Sequence, residues 1–153
     1  IRDRDVTGVQ TCALPTWGRP DMAIWKFTEA IIKDKPVQVF EEGKLLRDFT
    51  YIDDVISGIL ALLGKIESQK PPMIMNVGNN HPISVTELIS ELEVALRRKA
   101  RIHYLPMQPG DVNKTYADIN LMMNYCGFKP DTNFQNALCH FCEWCLMYLK
   151  NLE

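Results

Sequence analysis

Arg47-Asp48-Phe49-Thr50-Tyr51-Ile52-Asp53-Asp54 places a permanently charged guanidinium a short step ahead of an acid pair. Arginine offers a planar fork of N–H donors, a shape that meets phosphate oxygens. Asp53 and Asp54 precede an apolar segment, where acids complement the positive end of a helix. They could equally hold Arg47 as a surface ion pair, and spacing alone leaves both readings open.

Two further clusters could meet a ligand. Gln108-Pro109-Gly110-Asp111 combines a tight turn with polar side chains able to reach hydroxyls, or it is an ordinary loop. Gly18-Arg19-Pro20-Asp21 sets an arginine at a helix start, where N–H groups attract anions, or the arginine is simply solvated. Cys139, Cys142 and Cys145 recur every third residue around His140. A zinc site draws four ligands, often from a turn as well as a helix. Here one predicted helix carries all three cysteines, two of them on its apolar stripe, so they read as small core hydrophobes and no metal is expected. His81 and His103 read as structural.

The elements that must position these residues alternate between helix and strand. Pro20 opens a helix through about Lys33, with Ala23, Ile24, Phe27 and Ile31 at helical spacing. Val37 to Phe40 reads as a strand closed by the turn Glu41-Glu42-Gly43-Lys44. Asp53 and Asp54 start a helix with Val55, Ile56, Ile59, Leu62 and Leu63 as its apolar face. Met73 to Val77 reads as a buried strand, and Gly78-Asn79-Asn80 as a turn. Ser84 and Glu87 form a capping-box pattern before a helix with Leu88, Ile89, Leu92 and Leu96 inward. Ile102 to Leu105 reads as a strand, and a short helix after Asp118 stops at Gly127. A last helix, about Asn133 to Leu152, buries Leu138, Phe141, Cys142, Cys145 and Leu149. The class is α/β, with too few strands for a whole doubly wound sheet.

Composition sets wider bounds. The chain has 153 residues, 46% apolar, enough for a packed core. Its net charge of −2, without a basic stripe, gives no footprint for nucleic acid. The longest mostly apolar run, Val55 to Leu63, is far too short to span a bilayer. Residues 1–15 carry neither a structural period nor a signal-peptide pattern, and they resemble a translated sequencing adapter. They are expected to be an artefactual, disordered leader, with residues 16–153 as the folded part. The four cysteines outside the leader, with no signal peptide, fit a reducing compartment, and a cytoplasmic location is expected.

Five blocks in order carry a resemblance: Trp17-Gly18-Arg19-Pro20-Asp21-Met22-Ala23, Gly43 to Asp54, Asn76-Val77-Gly78-Asn79, Leu105 to Val112, and Gly127-Phe128-Lys129-Pro130. The series resembles the C-terminal part of UDP-glucuronate 4-epimerases, within the NAD-dependent epimerase/dehydratase family of extended short-chain dehydrogenases/reductases. The resemblance implies the end of a doubly wound Rossmann-type sheet plus a small C-terminal nucleotide-sugar-binding subdomain, incomplete. In that family a tyrosine takes the sugar 4-hydroxyl proton while C4 gives hydride to NAD. The 4-keto sugar then rotates and takes the hydride back on its other face.

The sequence contains no Gly-x-x-Gly-x-x-Gly, and the resemblance sets the catalytic Tyr-x-x-x-Lys region before Trp17. No catalytic or NAD-binding residue is therefore assigned to this chain, which is expected to be inactive alone. By position in the family pattern, Arg47 is similar to the arginine on the diphosphate and Asp111 to the acid that reaches the ribose. Gln38 and Phe40 match the uracil site, while Asp21 and Met22 match the helix start near the nucleotide. Gln108 stands where some relatives have a second phosphate-binding arginine, which leaves Arg19 as a candidate second cation. The implied ligand is a UDP-sugar, and the implied parent is a homodimer. Plant-type relatives can carry a membrane anchor upstream. Alternatives are a UDP-glucose 4-epimerase, a nucleotide-sugar dehydratase, or a non-catalytic relative used for binding or regulation.

Overall fold

A computed structural model describes residues 13–14 (backbone), 22–65, 74–107 and 110–151. The helices are α1 (Ala23–Ile32), α2 (Ile52–Leu63), α3 (Val85–Leu96), α4 (Asn120–Cys126) and α5 (Phe134–Lys150). The strands are β1 (Ala13–Leu14), β2 (Pro36–Phe40), β3 (Leu46–Arg47), β4 (Thr50–Tyr51), β5 (Ile83–Ser84) and β6 (Arg101–Leu105).

They form three two-stranded sheets. β2 and β6 run parallel in the register Phe40↔Leu105, and β1 runs parallel to β4. β3 and β5 are antiparallel. The α/β class holds, as does the reading of a partial Rossmann-type sheet with a small C-terminal subdomain.

One core gathers what the helical periods predict. Ile24, Phe27 and Ile31 of α1 meet Leu88, Ile89, Leu92 and Leu96 of α3, and Leu138, Phe141, Cys142 and Cys145 of α5. Val37 and Val39 point into this core from β2, while Gln38 between them faces out. Local signals set the ends. The Ser84 hydroxyl accepts from the Glu87 N–H at 3.0 Å, and the Asn133 side chain accepts from Asn136 N–H at 3.1 Å.

Two expectations change. The stretch 74–77 is not a buried strand: it is irregular, and Ile74 is 91% exposed. No strand pairs with it among the described residues, and the turn after it is tied to side chains instead. The inward face of α2 is also different. Asp54, Val55 and Gly58 are buried, whereas Ile56, Ile59, Leu60 and Leu63 are exposed. Gly58 is the reason. A Cβ there would stand 2.7 Å from Met122 Cε and 3.1 Å from the Phe128 ring, so α4 and the segment after it press on the glycine side.

Of residues 1–15, expected to form a disordered leader, only Ala13 and Leu14 are among the described residues, and their backbone pairs with Thr50 and Tyr51. No described helix is long and apolar enough to cross a membrane.

Candidate functional site

β2 and β6 are parallel and in register, so their C-terminal ends lie on one edge. Open α/β sheets bind ligands beyond such ends. From Phe40 the chain turns through Glu41–Gly43 and enters β3, which carries Arg47. From Leu105 it proceeds to Gly110 and Asp111, then returns along β3. There the Leu46 N–H donates to Asn113 O at 2.9 Å, and Thr115 N–H donates to Leu46 O at 3.1 Å.

That strap brings together two residues 64 positions apart: Arg47 Nη2 meets Asp111 Oδ1 at 2.5 Å. Arg47 Nη1 donates to Leu46 O at 2.9 Å. Both side chains are partly buried, at 22% and 30% exposure. The guanidinium has more donors than these two contacts use, so a phosphate could be met without breaking the ion pair.

The other predicted residues divide. Phe40 is half-buried on the core at the end of β2, and Gln38 is exposed on the outward face. Met22, at the N-cap of α1, is exposed. Arg19, Asp21 and Gln108 lie outside the described residues. Asp53 is exposed, while Asp54 is buried and accepts from the N–H groups of Asp131 (3.2 Å) and Thr132 (3.3 Å). Asp54 therefore ties α2 to the segment before α5.

Sequence reasoning missed Asp48, whose carboxylate accepts from three backbone N–H groups. No local signal reports it. It also missed a small pocket lined by Phe49, Tyr51, Asp54, Asn79, Thr132, Phe134 and Ala137, which includes none of the eight predicted binding residues. Burial, and secondarily Asp53, pushes the Tyr51 hydroxyl pKa up.

One string with catalytic spacing also escaped it, Tyr125 to Lys129 in a Tyr-x-x-x-Lys pattern. Residues four apart share a face only while a helix continues. α4 stops at Cys126, Gly127 turns left-handed at φ 73°, and the Tyr125 hydroxyl donates to Lys65 O at 3.0 Å. The two residues do not form a catalytic pair.

Two of the three cysteines on α5 behave as core. Cys142 and Cys145 are buried and Cys139 is exposed. Burial pushes the Cys142 thiol up to about 12, helped by Cys145 and Cys139 and opposed by the Thr28 hydroxyl. It pushes Cys145 up to about 11.

The NAD dependent epimerase/dehydratase family matches residues 13–78, a span that holds β2, Arg47 and α2. A UDP-glucuronate 4-epimerase from Arabidopsis thaliana is 40% identical over 146 residues, covering 86% of this chain and 33% of the relative. The protein CapI of Staphylococcus aureus is 38% identical over 149 residues, covering 88% and 45% respectively. A Bacillus cereus UDP-glucuronic acid 4-epimerase, solved with UDP-glucuronic acid and NAD, superposes with a TM-score of 0.76 at 31% identity. That match covers 86% of this chain and 41% of the B. cereus chain.

Over residues 13–78 the chain is similar to the NAD-dependent epimerase/dehydratase family, and over most of its length it is similar to UDP-glucuronate 4-epimerases.

It spans 45% or less of the length of the curated relatives named here. Within the family match, Arg47 lies in the matched span and Asp111 beyond it. The Arg47–Asp111 contact thus links the matched region to the strap that follows β6.

Proposed function

We propose that this chain is the nucleotide-sugar-binding part of an NAD-dependent UDP-glucuronate 4-epimerase. The observation that carries the reading is the Arg47–Asp111 pair, held beyond the C-terminal ends of β2 and β6. In this reading Arg47 meets the diphosphate, and Asp111 orients the guanidinium and reaches toward the ribose. Phe40 offers its half-buried ring and Gln38 its exposed amide near the uracil. In the same reading Arg19, Asp21, Met22 and Gln108 are further candidates for contact with the nucleotide. UDP-glucuronate leads among UDP-sugars because it is the ligand of the B. cereus relative's structure and names the Arabidopsis enzyme.

Nicotinamide dinucleotides need a glycine-rich turn between a strand and a helix. The sequence holds no Gly-x-x-Gly-x-x-Gly, and its residues do not fit the cofactor. This chain's share of the chemistry is then binding and orientation: it fixes the nucleotide so that a sugar ring attached to it stays within reach while it turns over. Binding energy from such remote groups is what holds a reacting ring in place.

Calorimetric titration of the purified chain with UDP-glucuronate, UDP-glucose, UDP and free glucuronate tests this. Binding of the three uridine nucleotides, weakened by about 2–3 kcal/mol in Arg47→Ala, is expected, with no binding of free glucuronate. A chain that ignores UDP, or binds it equally well without Arg47, overturns the reading. Tighter binding of UDP-glucose than of UDP-glucuronate moves the assignment to a UDP-glucose enzyme.

A further inference from the structure

Asp48 follows Arg47 directly in sequence, yet its carboxylate serves a different set of partners. Oδ2 accepts from the backbone N–H of Asn80 at 3.0 Å and of Ala117 at 3.2 Å. Oδ1 accepts from the His81 N–H at 3.3 Å. One side chain thus ties three backbone segments: the link between β3 and β4, the turn after Gly78, and the far end of the strap that carries Asp111.

The join is close-packed. A Cβ built on Gly78 would collide with the Ala117 methyl and stand 3.3 Å from Asp48 Oδ2. The strap is therefore held twice. Backbone bonds to Leu46 fix Asn113 and Thr115, and Asp48 fixes Ala117. Asp111 stands just ahead of the first of these ties, where it meets Arg47.

We propose that Asp48 is the positioning residue of the diphosphate clamp. By docking Ala117 and residues 80–81 on one carboxylate, it keeps the strap in register on β3. Asp111 then meets Arg47 in a single orientation, and the guanidinium is aimed before ligand arrives. Bonds from N–H groups to an ionised carboxylate are stronger than neutral ones, which suits a residue that must hold a loop. The inference rests on the UDP-sugar reading above.

Asp54 supplies the control. It too accepts backbone N–H bonds, but from Asp131 and Thr132 and not from the strap. Asp48→Asn keeps the size and one acceptor while turning an NH2 toward a donor. It should speed amide exchange at Thr115 and Ala117 and weaken UDP binding, each by about tenfold or more. In an Arg47→Ala background the same change should alter UDP affinity by less than about twofold, because its effect passes through Arg47. Asp54→Asn should lower the melting temperature and leave UDP affinity alone.

Gly78→Ala, which crowds Ala117 off the carboxylate, should reproduce the Asp48→Asn result and serves if that variant fails to fold. Unchanged UDP affinity in Asp48→Asn, or an equal loss with and without Arg47, overturns the proposal. If the wild-type chain binds UDP no better than Arg47→Ala, the UDP-sugar reading is what falls. Exchange at Thr115 and Ala117 then decides the positioning role: acceleration upholds it and no change overturns it.

Discussion

Arg47 and Asp111 meet at partial burial, which separates what each variant should do. A pair this exposed adds only about 0–1 kcal/mol to stability. A hydrogen bond to a charged ligand adds about 2–3 kcal/mol to binding. Arg47→Ala should therefore weaken UDP-glucuronate binding by that larger amount while the melting temperature barely moves. Arg47→Lys should recover little, because an ammonium cannot keep a planar two-sided contact with both a phosphate and Asp111. Calorimetry and thermal melts on both variants check this. Lost stability with unchanged affinity would leave Arg47 a structural ion pair.

Cys142 allows a second prediction at the residue scale. Burial raises its folded pKa from the ordinary 9.0 to about 12. A group raised in this way favours the folded state fully below the unfolded value and loses that contribution as pH climbs toward the folded one. Urea midpoints should thus fall between about pH 9 and pH 12. The fall should be shallower in Cys142→Ala, which has no thiol to ionise. Parallel midpoint curves for the two proteins would remove Cys142 as the cause.

The elements differ in how far their own residues announce them. α3 and α5 were legible because their signals are local: a capping side chain three residues ahead of its N–H, then an apolar stripe at helical spacing. β2 showed its period of two, with Val37 and Val39 inward. α2 did not, since its apolar residues outnumber its buried ones and only contact with Met122 and Phe128 picks the Gly58 side. The stretch 74–77 has a strand's composition but no partner among the described residues, and pairing is what makes a strand.

The site follows the same division. Arg47 could be singled out by its chemistry, whereas Asp48 could not. Its partners lie between 32 and 69 positions away, beyond any local pattern. Gly58→Ala tests the α2 contact. Alanine gains about 1 kcal/mol in helix propensity. Against that, its methyl would press the Phe128 ring and Met122, and overpacking costs about 1–3 kcal/mol. Net destabilisation in urea is expected; a more stable variant would mean that Met122 and Phe128 yield freely.

At the scale of the whole molecule, the helical core and the sheets make different demands. α1, α3 and α5 enclose their apolar side chains, but among the described residues each sheet has only two strands, and a lone pair of strands is marginal in water. Beside the β1–β4 pair, α2 turns Ile56, Ile59, Leu60 and Leu63 outward, with Leu60 61% and Leu63 58% exposed. Exposed apolar groups of this kind drive association once they are contiguous. The purified chain should therefore self-associate with rising concentration. Leu60→Gln with Leu63→Gln should suppress this at little cost in urea midpoint, since neither side chain is buried in the monomer. Sedimentation velocity across concentration reads the first effect and urea unfolding the second. A chain that stays monomeric, or a double variant that unfolds much more easily, would show that these leucines pack within the chain. The same purified chain should give no UDP-galacturonate from UDP-glucuronate with NAD added. Hydride transfer belongs to the cofactor, and the sequence holds no Gly-x-x-Gly-x-x-Gly turn for it. Product formed at a rate that follows chain concentration would require a cofactor site elsewhere in this sequence.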